Sequence, residues 1–586
     1  MAVFGQLDDD DRSQTVEALR NRLKPSVVRA VLESDPKGAS AVESIIVEAE
    51  RSPGRGRPRT RLLDDELYRF LVDLRGASLL EGNDVGRELR FRLALHASPD
   101  ELDRLHDYEG SSARSRKGAK QRAEVIARRK WHSGKRWSRH FVRTLDLPPT
   151  LAGLPGSQKE PDHLEVTPFR PLQDLEDFQV DLMEQASDVL HAEPGRNRGI
   201  LSLPTGAGKT RTAVETLMDW YRSHSGHSLV LWIAQSEELC EQAVQSFREV
   251  WIDLGHRKNP ARETLGIARC WGTSPVPDPE ENGVVVASIQ KLQAVIRDPN
   301  SEANEELALL RDHLGVVVID EAHRASASSY REVLRFLGID TISGANSEIP
   351  LLGLTATPFR SDETETPHLF RIFHHRLLES SALGDEPFRT LREREVLSTA
   401  EHEFLQHSAH TFDMDRDQRF VQYFDQFNDF HPAFLREIGG SEQRNQALLN
   451  RIRQVPETSP TLFFGSTVEH AQAMAVLLRR SGRAAEVITG ETRSATRRAI
   501  IEEFRDGGIS VLCNYGVLTT GFDAPRVETL VIGRPTASRV LYAQMIGRGM
   551  RGSRFGGTPS CRVIDVWDNI RFRGELVYNK YESYFR

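Results

Sequence analysis

Pro204-Thr205-Gly206-Ala207-Gly208-Lys209-Thr210 stands between an apolar run, Ile200 to Leu203, and a stretch with helical periodicity. That combination suits phosphate. Glycines let successive backbone N–H groups close around phosphate oxygens, and the helix that follows points its positive N-terminal end at the same place. Lys209 is the fixed cation that reaches the outer phosphates, and Thr210 offers a hydroxyl to Mg2+. The strict pattern puts a glycine six residues before the lysine, where this chain has Leu203. A second constellation lies 111 residues on, where Val316-Val317-Val318-Ile319 ends in Asp320-Glu321-Ala322-His323. Mg2+ takes few protein ligands and keeps much of its water. Asp320 can therefore hold the ion through its water shell, while Glu321 orients and deprotonates an attacking water. A phosphate cradle followed by a strand ending in paired acids predicts nucleotide hydrolysis.

Such residues work only if a parallel sheet positions them. Ile200 to Leu203, Leu229 to Ile233, Val284 to Ala287 and Val316 to Ile319 are short apolar runs rich in β-branched residues, alternating with amphipathic stretches. Runs of this kind suit strands buried on both faces, with helices packed on the sheet. The pattern returns at Leu462 to Phe464, Glu486 to Ile488, Ser510 to Cys513, Thr529 to Ile532 and Arg562 to Val566. The chain thus reads as α/β over 165–360 and 441–586, with a polar, aromatic connecting segment at 361–440. Residues 1–160 read as a mainly α-helical N-terminal accessory domain in front of both. Within it, 16–20, 41–46 and 62–74 carry apolar residues at helical spacing.

The 586 residues carry 39% hydrophobic and 28% charged side chains and a net charge of −8, an ordinary globular balance that argues against a uniformly basic coat protein. No run is long and apolar enough for a membrane helix. Asp8 to Asp11 do not read as a signal peptide, and Cys240, Cys270, Cys513 and Cys561 form no CxxC pair. A reduced cytoplasm is the expected setting. Against this background, 114–143 holds twelve Lys or Arg and one acid, Glu124. Arg128, Arg129 and Lys130 flank Trp131, and Trp137 follows. The basic residues suit phosphates, and the tryptophans suit either stacking on unpaired bases or packing in a core. Gly54-Arg55-Gly56-Arg57-Pro58 resembles an AT-hook core, thin enough for a narrow minor groove, but reads more readily as a basic linker between helices.

The two constellations resemble motifs I and II of superfamily 2 helicases, the DEAD/DEAH-box-like ATPases, and the resemblance continues in order along the remaining chain. Gln179 stands in a stretch similar to the Q motif, whose glutamine reads adenine, with Gln173 a less well spaced alternative. Gln235 occupies the motif Ia position and Gln290 a further strand-grasping position. Thr355-Ala356-Thr357-Pro358 resembles motif III, and Phe464-Gly465-Ser466-Thr467 motif IV. Thr519 to Pro525 resembles motif V, with Gly521 and Asp523 on the nucleotide. Gln544 to Arg551 resembles motif VI. The wording is most similar to the RadD, XPB-like and restriction-translocase (ResIII-type) branch. The resemblance implies two tandem RecA-like lobes using ATP and Mg2+, with Arg548 and Arg551 as arginine fingers. It implies coupling through His323, Thr355, Thr357 and Gln544, and a strand gripped by Gln235, Gln290, Ser466 and Thr519. The implied activity is an ATP-dependent DNA helicase or translocase of bacterial DNA repair or anti-phage defence. The alternatives are a motor subunit of a restriction-like or defence complex with protein partners, an RNA helicase, and a DNA-bound switch that hydrolyses ATP without moving.

Overall fold

Every apolar run read as a strand is a strand. The computed structural model describes residue 7 and residues 9–576, apart from 36–37, 50–60, 83, 109–117, 154–162, 167–171, 224–228, 258–263, 282, 342–346, 357–365, 408–410, 428, 519–525 and 574. The first lobe is built on β1 (His163–Val166), β2 (Arg198–Ser202), β3 (Leu229–Ala234), β4 (Leu265–Cys270), β5 (Val284–Ser288), β6 (Leu314–Asp320), β7 (Leu351–Thr355) and β8 (Leu377–Leu378). They lie in the order β1-β4-β5-β3-β6-β7-β2-β8, parallel throughout except where β1 pairs with β4. Every residue of β3 and β5 is buried, as a strand covered on both faces requires.

The N-terminal region contributes α1 (Asp9–Arg22), α2 (Pro25–Leu32), α3 (Gly38–Ala49), α4 (Glu66–Arg75), α5 (Val85–Leu95), α6 (Pro99–His106), α7 (Ala119–Arg128) and α8 (Arg136–Thr144). The first lobe adds α9 (Asp177–Leu190), α10 (Lys209–Ser223), α11 (Glu237–Arg257), α12 (Ile289–Ile296), α13 (Glu302–Asp312) and α14 (Ser328–Phe336). No helix among the described residues is long and apolar enough to cross a membrane.

The segment 361–440 is not a simple connector. It begins with α15 (Thr366–Ile372), gives β8 to the first sheet, and continues through α16 (Pro387–Glu393) to β9 (Thr399–Leu405). Strand β9 edges the second sheet, and β10 (Thr411–Asp413), α17 (Gln418–Phe427) and α18 (Pro432–Gly439) follow it. The second lobe then runs through α19 (Glu442–Arg453), β11 (Thr461–Phe464), α20 (Val468–Arg480), β12 (Ala485–Ile488), α21 (Ser494–Asp506), β13 (Val511–Asn514), β14 (Thr529–Ile532), α22 (Arg539–Ile546) and β15 (Ser560–Val566). Its sheet is parallel, in the order β12-β13-β11-β14-β15-β9. A small sheet of β10 with β16 (Asn569–Phe572) and β17 (Glu575–Leu576) closes over a separate core of Phe412, Phe430, Phe434 and Ile570.

The N-terminal helices do not stand free. Helix α3 packs on α19 and α20, and α4 packs on α20. Val42, Ile46, Phe70 and Leu71 share one continuous core with Leu448, Ile452, Met474 and Leu478 of the second lobe. Ionic contacts rim that core. Arg12 reaches Glu486 at 3.0 Å and Asp73 at 3.4 Å, and Arg479 reaches Glu486 at 3.3 Å. What reads as a separate domain in front is a layer on the second lobe.

Candidate active site

In a parallel sheet, the loops at the carboxyl ends of neighbouring strands meet. Strands β6, β7 and β2 are such neighbours. Ser202 sits opposite Thr355, and Asp320 opposite Leu354. The phosphate loop, the paired acids and Thr355 therefore share one edge. The backbone N–H of Leu203 donates to the carbonyl of Thr355 at 3.3 Å, tying the loop to β7. Gly206 and Gly208 hold φ of +91° and +84°, where a side chain is strained. A Cβ on Gly208 would also run into the amide of Gln179. Lys209 and Thr210 open α10 directly after the loop and are half-buried.

Asp320 and Glu321 are both buried. Asp320 accepts from the N–H of Glu321 at 2.9 Å. Burial pushes the Asp320 carboxyl above the ordinary range, against the opposing pull of Lys209. Burial acts in the same direction on Glu321 but is overcome there. Lys209 and the contact from His323, with Arg548 behind, hold Glu321 ionised well below its usual range. His323 Nδ1 lies 3.3 Å from Glu321 Oε2 and 3.4 Å from Thr355 Oγ1. One imidazole thus joins Glu321 at the end of β6 to Thr355 of β7.

The second lobe completes the cleft. A Cβ at Gly547 would come within 2.6 Å of Thr205, so this glycine is where the second lobe meets the phosphate loop. Arg548 follows it, and its charge acts on both buried acids across the cleft. Arg551 pairs by backbone with Leu397 close to Gly206. Gln544 is buried, and its Nε2 has no partner among the described residues, an orphaned donor suited to a ligand oxygen. No group of three metal-binding side chains occurs among the described residues. The Asp320 carboxyl at the end of β6 and the Thr210 hydroxyl at the start of α10 are oxygen donors of the kind Mg2+ takes, few in number beside a nucleotide's own phosphates.

Three expectations are corrected. Gln179 is buried, and both its polar ends are engaged: Oε1 accepts from the N–H of Glu176 at 3.0 Å, and Nε2 donates to the Ala207 carbonyl at 3.4 Å. In this arrangement it clamps the phosphate loop and does not offer its amide to adenine. Ser466 is fully buried, its Oγ donating to the Gly533 carbonyl at 2.7 Å, so it presents nothing to a strand. Trp131 and Trp137 are buried against Phe141, at 5.6 and 5.9 Å between ring centroids. Arg129 sits 4.7 Å over Trp137 and donates to the His106 carbonyl. The tryptophans are core, and Arg129 is structural, while Arg128 and Lys130 are exposed.

Gln235 and Gln290 come together in an open groove on the first lobe with Ser236, Ser288 and Lys291, and Gln290 Nε2 donates to the Gln235 carbonyl at 2.8 Å. Arg55, Arg57, Thr357, Thr519, Gly521 and Asp523 lie outside the described residues.

Contacts that sequence reading missed cluster behind motif VI. Ser398 Oγ donates to the Arg551 carbonyl at 2.6 Å, and the N–H of Gly552 donates to Val396 at 2.9 Å, stitching the strand between the lobes to the arginine segment. Arg554 reaches Glu176 at the start of α9 at 2.5 Å, and Phe555 packs on the first lobe's core. Gly552, Gly556 and Gly557 mark a turn there, but nothing local names its partners.

Residues 173–360 match the family described as type III restriction enzyme, res subunit, and 443–553 match the helicase conserved C-terminal domain, together about half of the chain. The first lobe is thus similar to the type III restriction enzyme res subunit and the second to the conserved C-terminal domain of helicases. It is 27% identical to the IRC3 helicase of Saccharomyces cerevisiae, over 67% of this chain and 51% of that protein. It is 24% identical to the EcoKI endonuclease subunit of the Escherichia coli type I restriction enzyme, over 82% of this chain and 43% of that protein. It is 21% identical to the ATP-dependent DNA helicase uvsW of Enterobacteria phage T4, over 64% of this chain and 66% of that protein. The chain thus spans about half the length of the IRC3 helicase.

Proposed function

We propose that the protein hydrolyses ATP between its two lobes and uses the cycle to move on DNA. The observation that carries the reading is the approach of Gly547, the residue before Arg548, to Thr205 of the phosphate loop, beside the buried Asp320 and Glu321. Lys209 and the loop amides bind phosphate, Glu321 takes the proton from water, and Arg548 and Arg551 meet charge that develops in the transition state. Bound Mg2+ would neutralise phosphate charge beside Asp320 and Thr210. The lobes close while the arginines have a phosphate to meet and part when it leaves. His323 and Thr355 carry that state towards the groove of Gln235 and Gln290, where contacts on phosphates hold a strand without reading sequence.

DNA is favoured because two of the similar proteins bear names of DNA enzymes, a DNA helicase and a restriction endonuclease subunit. The likeness to a restriction enzyme subunit favours a role in anti-phage defence, with DNA repair the alternative. The test is ATPase activity with single-stranded, duplex and forked DNA and with RNA, alongside strand displacement. We expect stimulation by DNA. Stimulation by RNA alone would overturn the substrate, and stimulation with neither displacement nor translocation would leave an ATP-driven switch.

A further inference from the structure

Helix α8 has two faces of opposite character. Trp137 and Phe141 turn inward, while Arg136, Arg139 and Arg143 form an exposed stripe on the other side. Arg128, Lys130 and Lys135, in and after the last turn of α7, are exposed as well. No side chain of these six makes an ion pair or hydrogen bond among the described residues. Their neighbours differ: Arg122 pairs with Asp103, and Arg129 is held by the His106 carbonyl. Between Gly118 and Thr144 the sequence has one acid, Glu124. Uncompensated like charges repel each other, so this face is suited to a polyanion.

Its chemistry narrows the polyanion. Binding unpaired strands draws on exposed aromatic rings for base stacking. Trp131, Trp137 and Phe141 are buried, leaving a surface of cations at helical spacing that suits a phosphate backbone.

Its place is also fixed. Arg493, just before α21, donates to Ser133 at 2.6 Å and pairs with Glu81 at 3.1 Å, locking the loop between Lys130 and Lys135 to the second lobe. The basic face is therefore fixed to the second lobe.

We propose that the face formed by the end of α7, the following loop and α8 grips the phosphate backbone of double-stranded DNA and, through the shared core, travels with the second lobe. This rests on the reading of the protein as a DNA motor and names the form of DNA held beyond the groove. The test uses the full chain with Lys130→Gln, Lys135→Gln, Arg139→Gln and Arg143→Gln combined, and a second variant with Arg128→Gln and Arg136→Gln. Binding of fluorescent duplex and single-stranded DNA is titrated against salt.

The fourfold variant should lose about tenfold or more in duplex affinity, and its log–log salt slope should be shallower by about 3 to 4, near 0.9 for each lost contact. The twofold variant should lose roughly half that slope. Single-strand affinity, DNA-free ATP turnover and thermal midpoint should stay within a few-fold or a few degrees of the wild type. An unchanged duplex slope, or an equal loss on single strands, overturns the proposal. The motor reading fails separately, if no DNA stimulates the wild-type ATPase.

Discussion

Glu321 holds a left-handed backbone at φ +53°, a conformation that costs a glutamate of order 1 kcal/mol or more and persists only where its surroundings impose it. Here the strand end and the His323 contact impose it, and the carboxylate is kept ionised, as the proposed base role requires. Glu321→Gln keeps shape and loses basicity. Turnover should fall by about 10²–10⁴ while nucleotide affinity stays within a few-fold, measured on one preparation. Turnover at the wild-type rate would remove Glu321 from the base role.

His470 offers a test of a different kind. Burial drives its imidazole down to about 3, with the Arg444 charge adding to the effect, and Nδ1 accepts from the N–H of Ser466 at 3.0 Å. A group whose folded pKa lies below its unfolded value binds fewer protons when folded. Its contribution is therefore complete above about 6.5 and is lost as pH falls towards 3. Between pH 7.5 and 5 the unfolding midpoint of wild type should drop by more than that of His470→Gln, which keeps an acceptor for Ser466. Parallel pH profiles would show that another group sets the acid sensitivity.

The strand that joins the lobes and the turn behind motif VI act as one piece. Ser398 and Gly552 hold them together, and Arg554 pins the turn to Glu176. Arg548 and Arg554 stand on the same segment yet should fail differently. Arg548→Ala removes charge that matters in the transition state, so turnover should fall by about 10³ or more with ATP affinity nearly intact. Arg554→Ala loosens lobe closure, so KM for ATP should rise several-fold with kcat nearly kept. Reversed signatures would exchange their roles.

Taken whole, the protein has its first helices on its last lobe. Each large apolar side chain buried there contributes about 1.5–3 kcal/mol. Removing residues 1–160 would bare Met474, Leu478, Leu448 and Ile452 at once. The truncated chain should be aggregated or bind a hydrophobic dye strongly, as seen by light scattering and fluorescence, even though every motif of the ATPase remains. A monodisperse, dye-silent truncation with normal ATP turnover would mean that the lobe does not need this cover.

The strands and the cleft were legible because their signals are local. A buried parallel strand announces itself in four or five β-branched residues, as at Val316 to Ile319, and a phosphate loop in the glycines and lysine between strand and helix. Even the inward tryptophans leave a trace, since Trp137 and Phe141 are four residues apart and the arginines at 136, 139 and 143 fall on the opposite side. Other features depend on residues hundreds of positions apart. That α3 lies on α20, that Arg554 meets Glu176, and that β8 and β9 divide between two sheets follow from which apolar faces and charges remain to be covered once each lobe has folded. No short window of sequence contains both partners of such a contact, so tertiary packing alone settles it.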